Sequence, residues 1–234
     1  MQNQQKPTSS DLPITILGAG SWGTALASQI SRSQHAVRLW GRDDFVLEMA
    51  KTRCNVTYLP DLVLSDLIEI TPDFAAAVAD VQDILIAVPS HAFRSVLLQL
   101  QQLRPTGIRI AWATKGLDPD HNQLLHEVVE EIYGPKTSMA VIAGPSFAKE
   151  VAAGLPTAIT VTSNDLAFSE ALNNRLHSHH FRIYLQTDFI GVQICGAVKN
   201  CLAVAAGISD GLGYGSNARS ALITRGLHEM TRLG

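Results

Sequence analysis

Short β-branched apolar runs alternate with longer stretches of helical period along most of this chain, the pattern of strand–helix–strand units that feed a parallel sheet. Eight strands are predicted, over residues 13–18, 36–40, 67–70, 83–88, 108–113, 139–144, 158–162 and 181–185. The helices between them are expected to begin near Ser21, Asp43, Pro72, His91, Asp120, Ser146 and Asn164, several of them on Ser, Asp or Asn caps. After Leu185 the strand pattern stops, and the rest reads as two helices around the glycine-rich connector GISDGLGYGSN. The expected fold class is α/β, a doubly wound and mainly parallel sheet over residues 13–187, preceded by a flexible leader (1–12) and followed by the beginning of an all-α domain (188–234). Gly234 falls about half-way into the apolar repeats of its helix with no cap after it, so the second domain reads as cut short.

Composition narrows the classes of function. At about 150 residues per domain, 234 residues amount to roughly one domain and part of another. Hydrophobic residues make up 46% and charged residues only 17%, so much of the chain is expected inside a core. With 18 Lys and Arg against 21 Asp and Glu the net charge is −3, and no basic run occurs, so neither nucleic acid nor an anionic membrane is an expected partner. Three cysteines without CxxC spacing argue against a disulfide framework or a zinc cluster and fit a reducing compartment, read as cytoplasm. The polar N-terminus has no apolar stretch of the signal-peptide kind. The longest apolar stretch, residues 189–208, is interrupted by Gln193, Lys199, Asn200 and three glycines, and reads as a core helix rather than a stable membrane span.

The first chemical motif, Gly18-Ala19-Gly20-Ser21-Trp22-Gly23, follows the first predicted strand directly and opens the first helix. In that setting Gly18 makes a tight turn, Gly20 lets a pyrophosphate approach the backbone, and Gly23 permits close helix–strand packing at a helix end whose free N–H groups attract anions. The fold expected is therefore Rossmann-like, with a merely flexible turn as the plainer alternative. About 20 residues further on, where an NAD-selective site carries an acid for the ribose hydroxyls, stands Arg42. Its guanidinium suits a 2′-phosphate, so NADPH is expected to bind at least as well as NADH. An exposed arginine paired with Asp43 or Asp44 is the other reading.

Three further loops leave the carboxyl ends of predicted strands: Val88-Pro89-Ser90-His91, Ala113-Thr114-Lys115-Gly116 and the segment from Gly144 to Lys149. Lys115 is placed to meet a phosphate in the crevice, and Gly144 and Ser146, at an expected helix start, could form a phosphate or hydroxyl site. Each of these could equally be ordinary loop chemistry. Lys199 is the most informative residue. Its helical neighbours Cys195, Gly196, Leu202 and Ala203 form a small, apolar face, so the ammonium is expected to be partly desolvated, its pKa lowered, and the group suited to shuttling a proton. Asn200 and Gln193 could add hydrogen bonds from an adjoining face. A lysine snorkelling to solvent is the alternative. His177, His179 and His180 read as a solvated loop, and Ser216 or Asn217 as the cap of the last helix.

Taken together, GAGSWGTALA, LWGRD, VPSH, WATKGL, GPSFAKEVAAGLPTAI, FIGVQICGAVKN and NARSALITRGL resemble the NAD(P)-dependent glycerol-3-phosphate dehydrogenases of the bacterial type, from about residue 13 to the last residue. The resemblance implies hydride transfer from NADPH or NADH to dihydroxyacetone phosphate, giving sn-glycerol 3-phosphate for phospholipid synthesis. It implies a dinucleotide on Ser21, Trp22 and Arg42 with Ala148 near the nicotinamide. Substrate would lie on Lys115, Gly144, Ser146 and Lys199, with Lys115 also touching the cofactor and Lys199 as the proton donor. It makes the helical part a substrate domain, lacking here the later Asp-containing and SRN-like segments of the family, so that this form is expected to bind NADPH and turn over poorly. No metal is implied, and a homodimer is an open expectation. The alternatives are another two-domain NAD(P)-dependent hydroxyacid dehydrogenase and a nucleotide-binding fragment without turnover.

Overall fold

The computed structural model describes residues 12–42 and 44–233; most of the expected leader, the expected helix start at Asp43 and the last residue, Gly234, lie outside the described residues. The elements are β1 (Ile14–Leu17), α1 (Ser21–Arg32), β2 (Val37–Trp40), α2 (Asp44–Thr52), β3 (Cys54–Asn55), β4 (Leu59–Val63), β5 (Ile68–Thr71), α3 (Phe74–Val78), β6 (Asp83–Ile86) and α4 (Ser90–Leu103). They continue with β7 (Arg109–Trp112), α5 (Leu125–Tyr133), β8 (Met139–Ala143), α6 (Ala148–Ala152), β9 (Thr157–Ser163), α7 (Leu166–Leu176), β10 (Phe181–Gln186), α8 (Phe189–Gly211) and α9 (Gly215–Leu233).

All eight predicted strands join one sheet in the order β10-β9-β8-β7-β6-β1-β2-β5. Every neighbouring pair is parallel except β8 and β9, which run antiparallel. Both faces are covered, which is why the central strands are apolar at nearly every position. Ile14, Ile16, Leu85, Ala111 and Ile142 point into the layer built with α1, α2 and α7. Leu17, Ile84, Ile86, Ile110 and Trp112 point into the opposite layer, with α3, α4 and α5. This is the doubly wound arrangement expected.

The structure corrects several local expectations. The helix expected near Asp120 begins at Leu125, because the Asp118 carboxylate is taken by Arg94 and His121 and Asn122 stands in left-handed backbone (φ 55°). The glycine-rich connector is shorter than expected. α8 continues through Gly211 and α9 starts at Gly215, so Ser216 and Asn217 lie in the first turn rather than at a cap. The core-helix reading of residues 189–208 is also corrected. α8 is anchored at its start, where Asp188 caps Gly191 N–H (2.8 Å) and Phe189 meets Trp112 edge to face (5.9 Å). Further along, Val204, Ile208 and Leu212 are exposed, and among the described residues of α9 none is buried. The helix is 23 residues long and its most apolar window has mean hydropathy 1.6, enough by length and composition to cross a membrane.

At the amino ends of β6 and β7, Asp83 is buried and takes a bidentate bond from Arg109 (2.7 and 3.0 Å), with Arg175 at 3.5 Å. Arg109 also stacks its guanidinium over Phe168 (4.6 Å to the ring centroid). Removing the shared carboxylate leaves buried positive charge uncompensated, so Asp83→Ala is expected to cost about 3–5 kcal/mol of stability. Urea unfolding measures this, and a loss below about 1 kcal/mol would contradict a buried role.

Candidate active site

The sheet order turns back between β1 and β6, so the loops after these strands go to opposite faces and leave a crevice at the carboxyl ends. The crevice holds about 570 Å³ and is lined by residues 18–22, Trp40, Gly41, Arg42, Phe45, Tyr58, residues 87–89 and residues 113–115. Gly18 has φ +123°, and a Cβ there would meet the Ala87 carbonyl group at 2.9 Å. A Cβ on Gly23 would stand 1.8 Å from the Gly18 carbonyl oxygen, which is how closely α1 abuts the turn. Over Gly20, by contrast, a Cβ would meet nothing within 4 Å. The three glycines thus do three different jobs. Gly20 caps α1 without a side chain, and the first turn of this 12-residue helix carries no acid, so its amides and dipole remain available to an anion.

Arg42 is exposed on the rim, shared between this crevice and an adjoining cavity of about 160 Å³ that His91, Ser95 and Gln99 also line. Two aromatic walls were not predicted. Phe45, at the start of α2, and Tyr58, in the β3–β4 hairpin, meet edge to face at 6.3 Å. The hairpin escaped the sequence because its first strand has two residues and its second carries Pro60, which weakens any strand pattern.

At the far side of the crevice two lysines converge from separate elements. Lys115 leaves β7 on a loop fixed by Thr114, whose hydroxyl donates to the Val88 carbonyl (2.7 Å), and its Nζ lies 5.8 Å from the centre of the Trp22 ring. Lys199 reaches from α8 and donates to the Gly144 carbonyl oxygen at 3.2 Å. Burial, and then the charge of Lys199, bring the pKa of Lys115 down to about 8. Lys115 lies between the end of β7 and the Trp22 ring. Two ammonium groups held together in this way repel each other until an anion joins them.

Other expectations around Lys199 change. Gln193 is buried, its amide shared between His126 and the Phe189 carbonyl, and Asn200 is exposed. Gly144 and Ser146 stand beside Lys199, but the helix that follows them, α6, has only five residues and carries Glu150 in its first turn. The anion argument from a helix end therefore does not apply there. Ser146 instead turns its hydroxyl to the Gly144 carbonyl (3.5 Å), and Ala148 packs on the core at the start of α6.

A family model described as the NAD-dependent glycerol-3-phosphate dehydrogenase N-terminus matches residues 13–169, and the model for its C-terminus matches residues 188–234. The chain belongs to this dehydrogenase family. It is 50% identical over 227 residues to the curated glycerol-3-phosphate dehydrogenase (NAD(P)+) of Salmonella paratyphi B, an overlap of 96% of this chain and 67% of that protein. Glycerol-3-phosphate dehydrogenase from Coxiella burnetii superposes with a TM-score of 0.90 at 53% identity, covering 94% of this chain and 68% of the other. The enzyme from Saccharomyces cerevisiae superposes with a TM-score of 0.84 at 26% identity, covering 95% and 69%.

For a member of the glycerol-3-phosphate dehydrogenase family the cleft must take a dinucleotide, and the residues present fit one. The open space over Gly20, the uncapped first turn of α1 and the length of the crevice from Arg42 to Lys115 suit a pyrophosphate flanked by two nucleosides.

Proposed function

We propose that this protein reduces dihydroxyacetone phosphate to sn-glycerol 3-phosphate with NADPH or NADH, a cytoplasmic step that provides the backbone of phospholipids. The observation that carries this reading is the convergence of Lys115 and Lys199 at the end of a dinucleotide crevice. The dinucleotide lies on the turn from Gly18 to Gly23, with the amides of Ser21 and Trp22 on its phosphates, Arg42 on the adenosine side and Ala148 on the nicotinamide side. When bound, it supplies a hydride to the substrate's carbonyl carbon. Lys199 gives a proton to the carbonyl oxygen as that carbon takes the hydride, so the alkoxide is never left unneutralised. Lys115, beside Trp22 and Lys199, holds the phosphate near the cofactor, and Gly144 and Ser146 close the substrate side.

Phosphate recognition has a pH signature. An anion favours the ammonium form of Lys115, so below about pH 8 the ligand meets a charged lysine. Above that pH binding must take up a proton, and affinity falls about tenfold per pH unit. The KM for dihydroxyacetone phosphate is therefore expected to rise above about pH 8. Dihydroxyacetone itself should lack that limb and be used about 10²-fold less well in kcat/KM, the loss of the charge-assisted contact with Lys115. Equal kcat/KM for the two ketones would refute the phosphate site. Arg42→Ala is expected to raise the KM for NADPH by about 10- to 100-fold while leaving that for NADH within about twofold. An equal loss for both would remove the 2′-phosphate role.

A further inference from the structure

We infer that Asn55 is a positioning residue for the dinucleotide turn, holding the Ala19 carbonyl so that the Gly20 N–H in the same peptide unit points into the cleft. The inference rests on the dinucleotide reading above and adds to it a residue that touches no ligand.

Asn55 lies in β3, 1% exposed, and the three hydrogen bonds of its side chain tie three segments together. Its Nδ2 donates to the Ala19 carbonyl (3.0 Å) and to the Thr24 hydroxyl (2.8 Å), and its Oδ1 accepts from Tyr58 N–H (3.2 Å). The Thr24 hydroxyl in turn donates to the same Ala19 carbonyl (3.3 Å). Buried polar groups in a satisfied network of this kind rarely have a second arrangement at equal cost. The Ala19–Gly20 peptide is trans and planar, so its C=O and N–H point in opposite directions. With the carbonyl fixed inward on Asn55 and Thr24, the Gly20 amide faces the opposite way, and Gly20 itself lines the crevice. An N–H already aimed at the anion spares the rearrangement that a mobile turn would need on binding. Tyr58 N–H also donates to the Asn55 main-chain carbonyl (3.2 Å), so that wall of the cleft keeps a tie when the side chain is changed.

The test compares the intact chain with N55D and N55A. Asn55→Asp keeps the volume and the acceptor for Tyr58 N–H but sets a carboxylate against the Ala19 carbonyl; Asn55→Ala removes the tie without adding charge. NADPH binding is followed by nicotinamide fluorescence, and adenosine 2′-phosphate, which lacks the pyrophosphate, serves as the competing probe. Both variants are expected to bind NADPH about 10- to 100-fold more weakly, with KM raised in step, kcat within about threefold and the affinity for adenosine 2′-phosphate unchanged. NADPH affinity unchanged in both variants, or an equal loss for both probes, overturns the positioning role. A wild-type chain that fails to bind NADPH overturns the dinucleotide reading together with it. A measurement that needs no variant is the Gly20 amide resonance of the wild-type protein during titration with inorganic pyrophosphate. It is expected to be among the most strongly shifted, and an unmoved resonance counts against the inference.

Discussion

Lys199→Ala is expected to slow NADPH oxidation by dihydroxyacetone phosphate about 10³-fold while leaving NADPH affinity within about twofold of wild type. The magnitude is that of a positioned proton donor, and the split follows from geometry. Lys199 comes from α8 and contacts the Gly144 carbonyl, whereas the crevice that takes the dinucleotide is lined by segments up to Lys115. A second readout separates chemistry from lost packing. Lys115 is held at about 8 by burial first and by the Lys199 charge second, so removing that charge lets its pKa rise towards the ordinary 10.5. In the Lys199→Ala protein the pH above which phosphate affinity declines should therefore move upward. Stopped-flow absorbance gives the rate, NADPH titration gives the cofactor affinity, and the KM for dihydroxyacetone phosphate at several pH values gives the shifted limb.

Gly23→Ala is expected to cost about 3 kcal/mol of stability and to weaken NADPH binding by more than about 100-fold. The methyl group would meet the Gly18 carbonyl oxygen at 1.8 Å and its carbon at 3.0 Å, backbone atoms of the turn itself, so relief requires α1 to back away from the turn. Gly20→Ala is the informative comparison, because its methyl enters open space. It should leave unfolding in urea nearly unchanged and weaken NADPH alone, since the methyl occupies the ground a phosphate needs. If Gly23→Ala bound NADPH normally, the turn would not be the rigid cradle described above.

Much of this was legible from local pattern. The eight strands of the sheet carry β-branched apolar runs that need no tertiary information to recognise, and GAGSWG between a strand and a helix states its own geometry. Lys199 could be singled out because a lysine among Cys195, Gly196, Leu202 and Ala203 breaks the pattern of its helix. What the sequence hid depends on contacts between distant segments. Asn55 is an ordinary polar residue until it is seen bonded to Ala19, 36 positions earlier. Gln193 looked available on a helical wheel, but α5 lies against it and His126 claims its amide. The helix start near Asp120 failed because Arg94 draws Asp118 into an ion pair that no local preference reveals. The exposure of Val204 and Ile208 could not be read from their hydrophobicity, which specifies only what ought to be covered.

The central claim is that one crevice binds NADPH and that Lys199 completes its use on a phosphorylated ketone. Its most direct test is a single turnover with NADPH bound in advance to an excess of protein and dihydroxyacetone phosphate then added. The wild-type protein should consume the bound NADPH and form one equivalent of sn-glycerol 3-phosphate, while Lys199→Ala keeps it reduced over the same interval. Wild-type protein that holds NADPH but leaves it reduced, or a Lys199→Ala protein that oxidises it at the wild-type rate, would contradict the account.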